Sequence, residues 1–151
     1  YINNSWVISG NRDSVFSIFN AGHNACLDLI SESNSKKSLI MNKNCHYTEN
    51  QNLIYDVSSK QIRIAETNYC LDVEGGYNVA GTSVIAYQCH NGGNQKWEFV
   101  SDKTIRTLLN NERRCLNVDQ YHLDSSGNPT LTIQDCSLNY KGQEFVVLSP
   151  P

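Results

Sequence analysis

Short runs of alternating apolar and polar residues, separated by polar turn-forming clusters, extend along most of the chain. Examples are Gln61–Ile64, Ser83–Tyr87 and Thr130–Ile133. A period of two predicts half-buried β-strands, and the Gly, Asn, Ser and Asp clusters between the runs predict turns. No segment keeps an apolar stripe with a 3.6-residue period over three turns. The pattern therefore predicts an all-β protein built from short strands.

The same pattern recurs three times. Cys-Leu-Asp-Leu begins at Cys26, Cys-Leu-Asp-Val at Cys70 and Cys-Leu-Asn-Val at Cys115, so the copies are 44 and 45 residues apart. A second cysteine follows after 19, 19 and 21 positions, and each copy ends in Gln, any residue, then a large apolar residue. Because one such unit cannot bury its apolar face alone, the repeat predicts a closed all-β body. We expect repeats at approximately residues 14–57, 58–103 and 104–149, preceded by a linker or N-terminal extension at 1–13.

The six cysteines follow the repeat, which selects one of the fifteen possible pairings. Equivalent positions in the three copies predict the disulfides Cys26–Cys45, Cys70–Cys89 and Cys115–Cys136. Each would close a loop of about 20 residues and stabilise the fold by about 3 kcal/mol. Disulfides also favour an oxidising location, either extracellular or in the lumen of the secretory pathway.

Charge and hydropathy argue against two classes of partner. The chain has 12 basic and 15 acidic residues and a net charge of -3, so no basic surface is expected to attract nucleic acid or anionic lipid. No apolar run approaches the ~18 residues of a transmembrane helix, and no segment resembles a signal peptide. Neither nucleic-acid binding nor membrane insertion is expected.

A threefold repeat that carries Cys-Leu-Asp-Val and then Gln-x-Trp is similar to the ricin B-type lectin family. The resemblance covers residues 14 to 149, and the second copy, with CLDV, YQCH and GGNQKW, most resembles the lectin domains of polypeptide GalNAc-transferases. Similar modules occur in plant and bacterial toxins. The resemblance implies a β-trefoil with one disulfide per repeat. It also implies a non-catalytic module that directs a larger toxin or enzyme to glycans with terminal galactose or N-acetylgalactosamine.

The resemblance also implies a shallow sugar site in any repeat that keeps four features. These are the Asp of Cys-Leu-Asp, an aromatic residue two positions before the second Cys, a polar residue after that Cys, and the Asn before Gln-x-Trp. The second repeat keeps all four, and its predicted site residues are Asp72, Tyr87, His90, Asn94 and Gln95. A carboxylate accepts hydrogen bonds from two sugar hydroxyls, an aromatic ring packs on the apolar C–H face, and amides both donate and accept.

The other two repeats depart from this pattern. The first is predicted to form a weaker second site with Asp28, His46 and Asn50, because Lys43 stands at the aromatic position and Leu53 replaces the Trp. The third loses the charge and the ring: Asn117 replaces the Asp, Gln134 stands at the aromatic position, Ser137 replaces the His and Gly142 replaces the Asn. Asp119, Tyr121 and His122 are near enough in sequence to leave an atypical site open.

Catalytic and metal-binding interpretations have less support. Cys89 and His90 are adjacent, but a disulfide would remove the thiolate that a nucleophile or metal ligand needs. The sequence lacks His-Glu-x-x-His, Gly-x-Ser-x-Gly and Cys-x-x-Cys motifs, so we expect no enzyme activity, no metal and no cofactor. A protein-binding β-trefoil with vestigial sugar sites remains the alternative, because a fold does not decide a function.

Overall fold

The computed structural model describes residues 2–3, 15–30, 36–137 and 139–149, with backbone alone at residues 2, 3 and 36. Thirteen strands lie in these ranges: Ile2–Asn3 (β1), Ser17–Asn20 (β2), Ala25–Ile30 (β3), Lys36–Asn42 (β4), Leu53–Asp56 (β5), Gln61–Ile64 (β6), Tyr69–Val73 (β7), Val84–Gln88 (β8), Trp97–Phe99 (β9), Ile105–Thr107 (β10), Cys115–Leu123 (β11), Pro129–Gln134 (β12) and Val146–Leu148 (β13). Short 3₁₀ helices occur at Glu49–Gln51, Glu74–Gly76, Gly93–Gln95, Leu109–Asn111 and Lys141–Gln143. None of the described helices has the length and apolar character needed to cross a membrane. The all-β prediction is confirmed.

Each repeat contributes four strands: β2–β5, β6–β9 and β10–β13. The two middle strands of each repeat form an antiparallel hairpin, namely β3–β4, β7–β8 and β11–β12. The outer strands pair between repeats, β5 with β6, β9 with β10 and β13 with β2, so the last repeat returns to the first. This threefold closure is the β-trefoil architecture. Of the expected extension at 1–13, only β1 lies within the described residues, and it pairs with β13.

The apolar residues that end the three repeats meet in the core. Leu53, Trp97 and Phe145 are fully buried. The backbone N–H of each donates to a carbonyl oxygen shortly before the first strand of its repeat, at distances of 2.8, 2.9 and 2.9 Å; the acceptors are Phe16, Lys60 and Lys103. The same residue therefore fills the shared core with its side chain and joins the two ends of its repeat through its backbone N–H.

The three predicted disulfides are present, one in each repeat. Their Cα–Cα distances are 5.4 Å for Cys26–Cys45, 5.1 Å for Cys70–Cys89 and 5.1 Å for Cys115–Cys136. Each bond ties the beginning of the second strand of a repeat to the segment that follows the third strand. No cysteine is free, so Cys89 offers no thiol for nucleophilic attack or metal binding.

Trp97 is the largest fully buried side chain among the described residues, and its Nε1 donates to the Leu71 carbonyl oxygen at 3.0 Å. We predict that Trp97→Ala lowers the free energy of unfolding by about 3–5 kcal/mol, because it leaves a cavity where the repeats meet. Equilibrium denaturant unfolding with the disulfides intact measures this loss. Leu123→Ala, at a side chain that is 54% exposed, is the matched control and should change stability by less than about 0.5 kcal/mol. Equal effects of the two substitutions would contradict the prediction.

Candidate functional site

The β7–β8 hairpin carries Asp72 and Tyr87 on its outer face. In the antiparallel ladder Asp72 lies opposite Ile85, and Cys70 lies opposite Tyr87. Because alternate residues of a strand share a face, all four side chains point away from the core side, which holds Leu71 and its neighbours. The hairpin register therefore brings together a carboxylate and an aromatic ring that are fifteen positions apart in sequence.

Asp72, Ile85 and Tyr87 line an open cavity of about 430 Å³. Its walls are formed by Asp72, Glu74, Gly75, Ile85, Tyr87, His90 and Asn94. Four of the five residues predicted for this site are among them. The Tyr87 ring is 37% exposed, and its centroid lies 6.3 Å from that of His90 with the planes at 72°. The cavity thus has a carboxylate at its base and an accessible aromatic wall.

The carboxylate of Asp72 is only 3% exposed and is held by two amides. Its Oδ1 accepts from Asn94 Nδ2 at 3.0 Å, and its Oδ2 accepts from Gln95 Nε2 at 2.8 Å. His90 Nε2 lies 3.6 Å from Oδ2. Each carboxylate oxygen has two lone pairs, so these bonds orient the group and leave acceptor capacity on the cavity side.

Burial raises the pKa of Asp72 above its ordinary value. The hydrogen bond from Gln95, the charge of His90 and the hydrogen bond from Asn94 act in the opposite direction, while the charge of Glu74 adds to the increase. Glu74 also lines this cavity, so two carboxyl groups lie along its wall. Such a cavity favours neutral ligands that donate hydroxyl hydrogen bonds over anionic ligands.

Gln95 lies beneath this cavity and is fully buried. Its Oε1 accepts from His90 N at 2.8 Å and from Gln61 Nε2 at 3.2 Å. Its Nε2 donates to the Gln88 carbonyl oxygen at 2.9 Å as well as to Asp72. Gln95 is the predicted site residue that does not line the cavity, since its polar atoms are engaged within the protein, and its direct contact with a ligand stays a prediction. Gln95 instead holds Asp72 in place.

The first repeat holds its carboxylate in a different way. Asp28 is buried, and its Oδ2 accepts from Asn42 Nδ2 at 2.9 Å and from Gln51 Nε2 at 3.1 Å. His46 Nε2 lies 3.8 Å from the same oxygen. Within the described residues, Asn50 makes no hydrogen bond to Asp28, so the structure brings Asp28 and His46 together without it. Residues 31–35 lie outside the described residues.

The aromatic position of the first repeat was misplaced by one residue. Counting back from Cys45 predicted Lys43, but Asn42 lies opposite Cys26 in the ladder, as Tyr87 lies opposite Cys70. Two residues separate this position from the second cysteine in the first repeat, whereas one separates them in the second. The strand register, and not the distance to the disulfide, decides which side chain reaches the site.

In the third repeat Asn117 replaces the Asp of the Cys-Leu-Asp motif, and two tyrosine side chains line the cleft. Asn117 Oδ1 accepts from Gln143 Nε2 at 3.3 Å, and its Nδ2 donates to Thr132 Oγ1 at 3.3 Å. A Cβ placed on Gly142 would lie 2.7 Å from Cε2 of Tyr140, so the ring packs where a larger residue would point. The resulting cleft of about 330 Å³ is lined by Asn117, Asp119, Tyr121, Gln134, Ser137 and Tyr140, among others. His122 Nδ1 lies 2.6 Å from Asp119 Oδ2.

Two family profiles match this chain. The profile described as "Ricin-type beta-trefoil lectin domain" matches residues 58–149, which is more than half of the chain. A second, described as "Ricin-type beta-trefoil lectin domain-like", matches residues 2–86. The chain therefore belongs to the ricin-type β-trefoil lectin family, whose domains bind carbohydrate. The closer likeness of the second repeat to the lectin domains of polypeptide GalNAc-transferases stays a prediction.

Curated relatives share part of the chain. A seed lectin of Trichosanthes anguina is 37% identical over 68 residues, which are 45% of this chain and 12% of the relative. A cytolysin of Vibrio vulnificus is 32% identical over 79 residues, which are 50% of this chain and 15% of the relative. The matched region thus spans a small part of both relatives.

Solved structures with low sequence identity share the fold. One is the β-trefoil lectin of the Vibrio vulnificus hemolysin/cytolysin with N-acetyl-D-lactosamine bound, with a TM-score of 0.68, 19% identity and coverage of 91% of this chain and 96% of that one. Another is the C-half of an earthworm R-type lectin in complex with GalNAc, with a TM-score of 0.67, 17% identity and coverage of 91% and 99%. At these identities the likeness supports the β-trefoil fold.

The position of Gln95 generates a test of stability. We predict that Gln95→Ala lowers the free energy of unfolding by about 3 kcal/mol, because buried polar groups that it bridges lose their partners. The pKa of Asp72 should rise further, since the Gln95 hydrogen bond lowers it. Denaturant unfolding and an NMR titration of the carboxyl group measure the two effects. The exposed neighbour Gln88→Ala serves as the control, and an equal response of both variants would refute the bridging role.

Proposed function

We propose that the second repeat binds terminal galactose or N-acetylgalactosamine residues of glycans through Asp72, Tyr87, His90 and Asn94. The observation that carries the proposal is the buried Asp72 carboxylate, oriented by two amides at the base of a cavity with the exposed Tyr87 ring as its wall. Vicinal sugar hydroxyls donate to the carboxylate, and the apolar C–H face of the sugar packs on Tyr87. His90 and Asn94 offer further hydrogen bonds from the cavity wall.

The electrostatics of the cavity support a neutral sugar. Glu74 stands beside Asp72 in the lining, so a sialylated or sulfated residue would meet like charge in this position. Galactose and N-acetylgalactosamine are neutral, and their axial 4-hydroxyl leaves one broad apolar face free for an aromatic ring. Sugars of this chemistry are bound by the Vibrio vulnificus and earthworm lectins described above, which supports the same class of ligand here.

The binding module acts as a non-catalytic targeting part of a larger toxin or enzyme. This role is supported by the small share of the seed lectin and of the cytolysin that the chain matches. An open site of this kind binds with a dissociation constant near 1 mM, or about -4 kcal/mol, so useful avidity comes from several sites or from linkage. Three disulfides support an extracellular or secretory-lumen location.

We predict that the wild-type chain binds glycans with terminal galactose or N-acetylgalactosamine on a glycan array, and that Asp72→Ala loses this binding. The loss should be at least about 100-fold, because two hydrogen bonds to a charged group disappear together. Tyr87→Ala should also bind poorly, since it removes the stacking surface. Tyr87 is an exposed residue, so this variant separates loss of binding from loss of folding.

Asp28→Ala is the matched control, because it removes the equivalent buried carboxylate from the first repeat. This variant should keep the binding of the second repeat. If the folded wild-type chain bound no glycan, the protein-binding alternative would be favoured. If Asp28→Ala abolished binding as fully as Asp72→Ala, the binding site would lie in the first repeat or in both repeats. A site confined to the second repeat would then be wrong.

The raised pKa of Asp72 predicts acid-sensitive binding. Only the ionised carboxyl accepts two hydroxyl hydrogen bonds, so affinity should fall as the pH decreases through the pKa of Asp72. Because that pKa lies above the ordinary value of 3.8, the fall should begin at a higher pH than for an exposed aspartate. Calorimetric titration of methyl β-galactoside from pH 3 to pH 8 measures this, and His90→Gln should keep the fall and move it to higher pH, because the charge of His90 lowers the pKa of Asp72. An affinity that changes only in the ordinary aspartate range would contradict the prediction.

A further inference from the structure

One large exposed aromatic residue stands beside the second-repeat cavity without lining it. Tyr77 is 69% exposed, and its ring packs on Gly75, which does line the cavity. A Cβ placed on Gly75 would lie 2.5 Å from Cε2 and 2.6 Å from Cδ2 of Tyr77. Gly75 also has a φ of +71°, so a side chain at this position is excluded by both conformation and space. The ring therefore lies at the rim, directly against the backbone of the cavity wall.

The loop that carries Tyr77 is fixed by the third repeat. Asn78 Nδ2 donates to the carbonyl oxygens of Leu109 at 2.6 Å and Glu112 at 2.7 Å. Arg114 Nη1 donates to the carbonyl oxygen of Asn78 at 2.6 Å and to its Oδ1 at 2.9 Å. Four hydrogen bonds thus anchor the residue next to Tyr77. A fixed loop presents the ring with little further ordering, which favours its use in binding.

The contact with Gly75 leaves most of the Tyr77 side chain exposed to solvent. Within the part of the chain that the structure describes, the hydroxyl of Tyr77 has no hydrogen-bond partner and no second aromatic ring packs on it. An aromatic side chain of this size is costly to leave in water. A flat apolar surface beside a sugar cavity is suited to a pyranose ring, whose C–H face packs on aromatic planes.

We infer that Tyr77 forms a second stacking platform, which binds the sugar residue linked to the terminal galactose. The inference rests on the proposed function of the cavity, because the first sugar occupies the space between Asp72 and Tyr87. The reducing-end sugar then leaves the cavity over Gly75 and packs its apolar face on the ring of Tyr77. The second repeat accordingly binds a disaccharide with terminal galactose more tightly than the monosaccharide.

The experiment compares two probes by calorimetry, methyl β-galactoside and N-acetyllactosamine. The wild-type chain should bind the disaccharide more tightly. Tyr77→Ala should weaken disaccharide binding about 5-fold, the scale of one aromatic stacking contact, and leave methyl β-galactoside unchanged. Tyr77→Phe should match the wild type, because the ring and not the hydroxyl makes the contact. Val79→Ala, an exposed apolar residue on the same loop, is the control and should change neither affinity.

The possible results separate this inference from the proposed function. If Tyr77→Ala leaves disaccharide binding unchanged while the wild type binds both probes, the inference is wrong and the galactose site stands. If Tyr77→Ala weakens both probes equally, Tyr77 acts on the first sugar and the second platform is again wrong. If the folded wild-type chain binds neither probe, the proposed function is wrong, and the inference that rests on it is wrong as well.

Discussion

The buried glutamine of each repeat is the interaction on which the fold and the site both depend. Gln51, Gln95 and Gln143 each accept a hydrogen bond from the backbone N–H after the second cysteine, at 2.9, 2.8 and 2.8 Å. Each donates to the carbonyl oxygen just before that cysteine and to the side chain of the Cys-Leu-Asp or Cys-Leu-Asn motif. One amide therefore joins the strand that carries the first cysteine to the segment around the second cysteine. Because these groups are buried, removing one amide leaves several polar groups without partners.

The three repeats share this network of hydrogen bonds around the buried glutamine, but they present different side chains at the surface. Where the motif residue is Asp72, a second amide from Asn94 completes the support of the carboxylate. In the third repeat the neutral Asn117 needs less support, the position of Asn94 is taken by Gly142, and the ring of Tyr140 packs there. The glutamine network is common to all three repeats, whereas the charge of the motif residue and the surrounding surface differ between them.

The sequence predicted much of the second site because its residues recur at set distances from the cysteines. Asp72, Tyr87, His90 and Asn94 meet at one cavity, as the motif indicated. The spacing rule failed at Lys43, because a strand register depends on which side chains face the core and not on a count from the disulfide. It also missed Tyr77 and Glu74, since no repeated motif marks the loop after β7. The signal available in the sequence was a Tyr that follows Glu-Gly-Gly, and its exposure came only from the structure.

The sequence alone determined the threefold division, the disulfide pairing and the strand content, because each follows from the period of a pattern along one chain. The tertiary structure decided which polar residues are buried and which are accessible. Gln95 and Asn94 are adjacent in sequence, yet Gln95 lies under the cavity while Asn94 lines it. It also decided that Arg114 of the third repeat fixes the loop of the second. Contacts between repeats depend on how the hairpins close around a common core, and a pattern within one repeat carries no information about that closure.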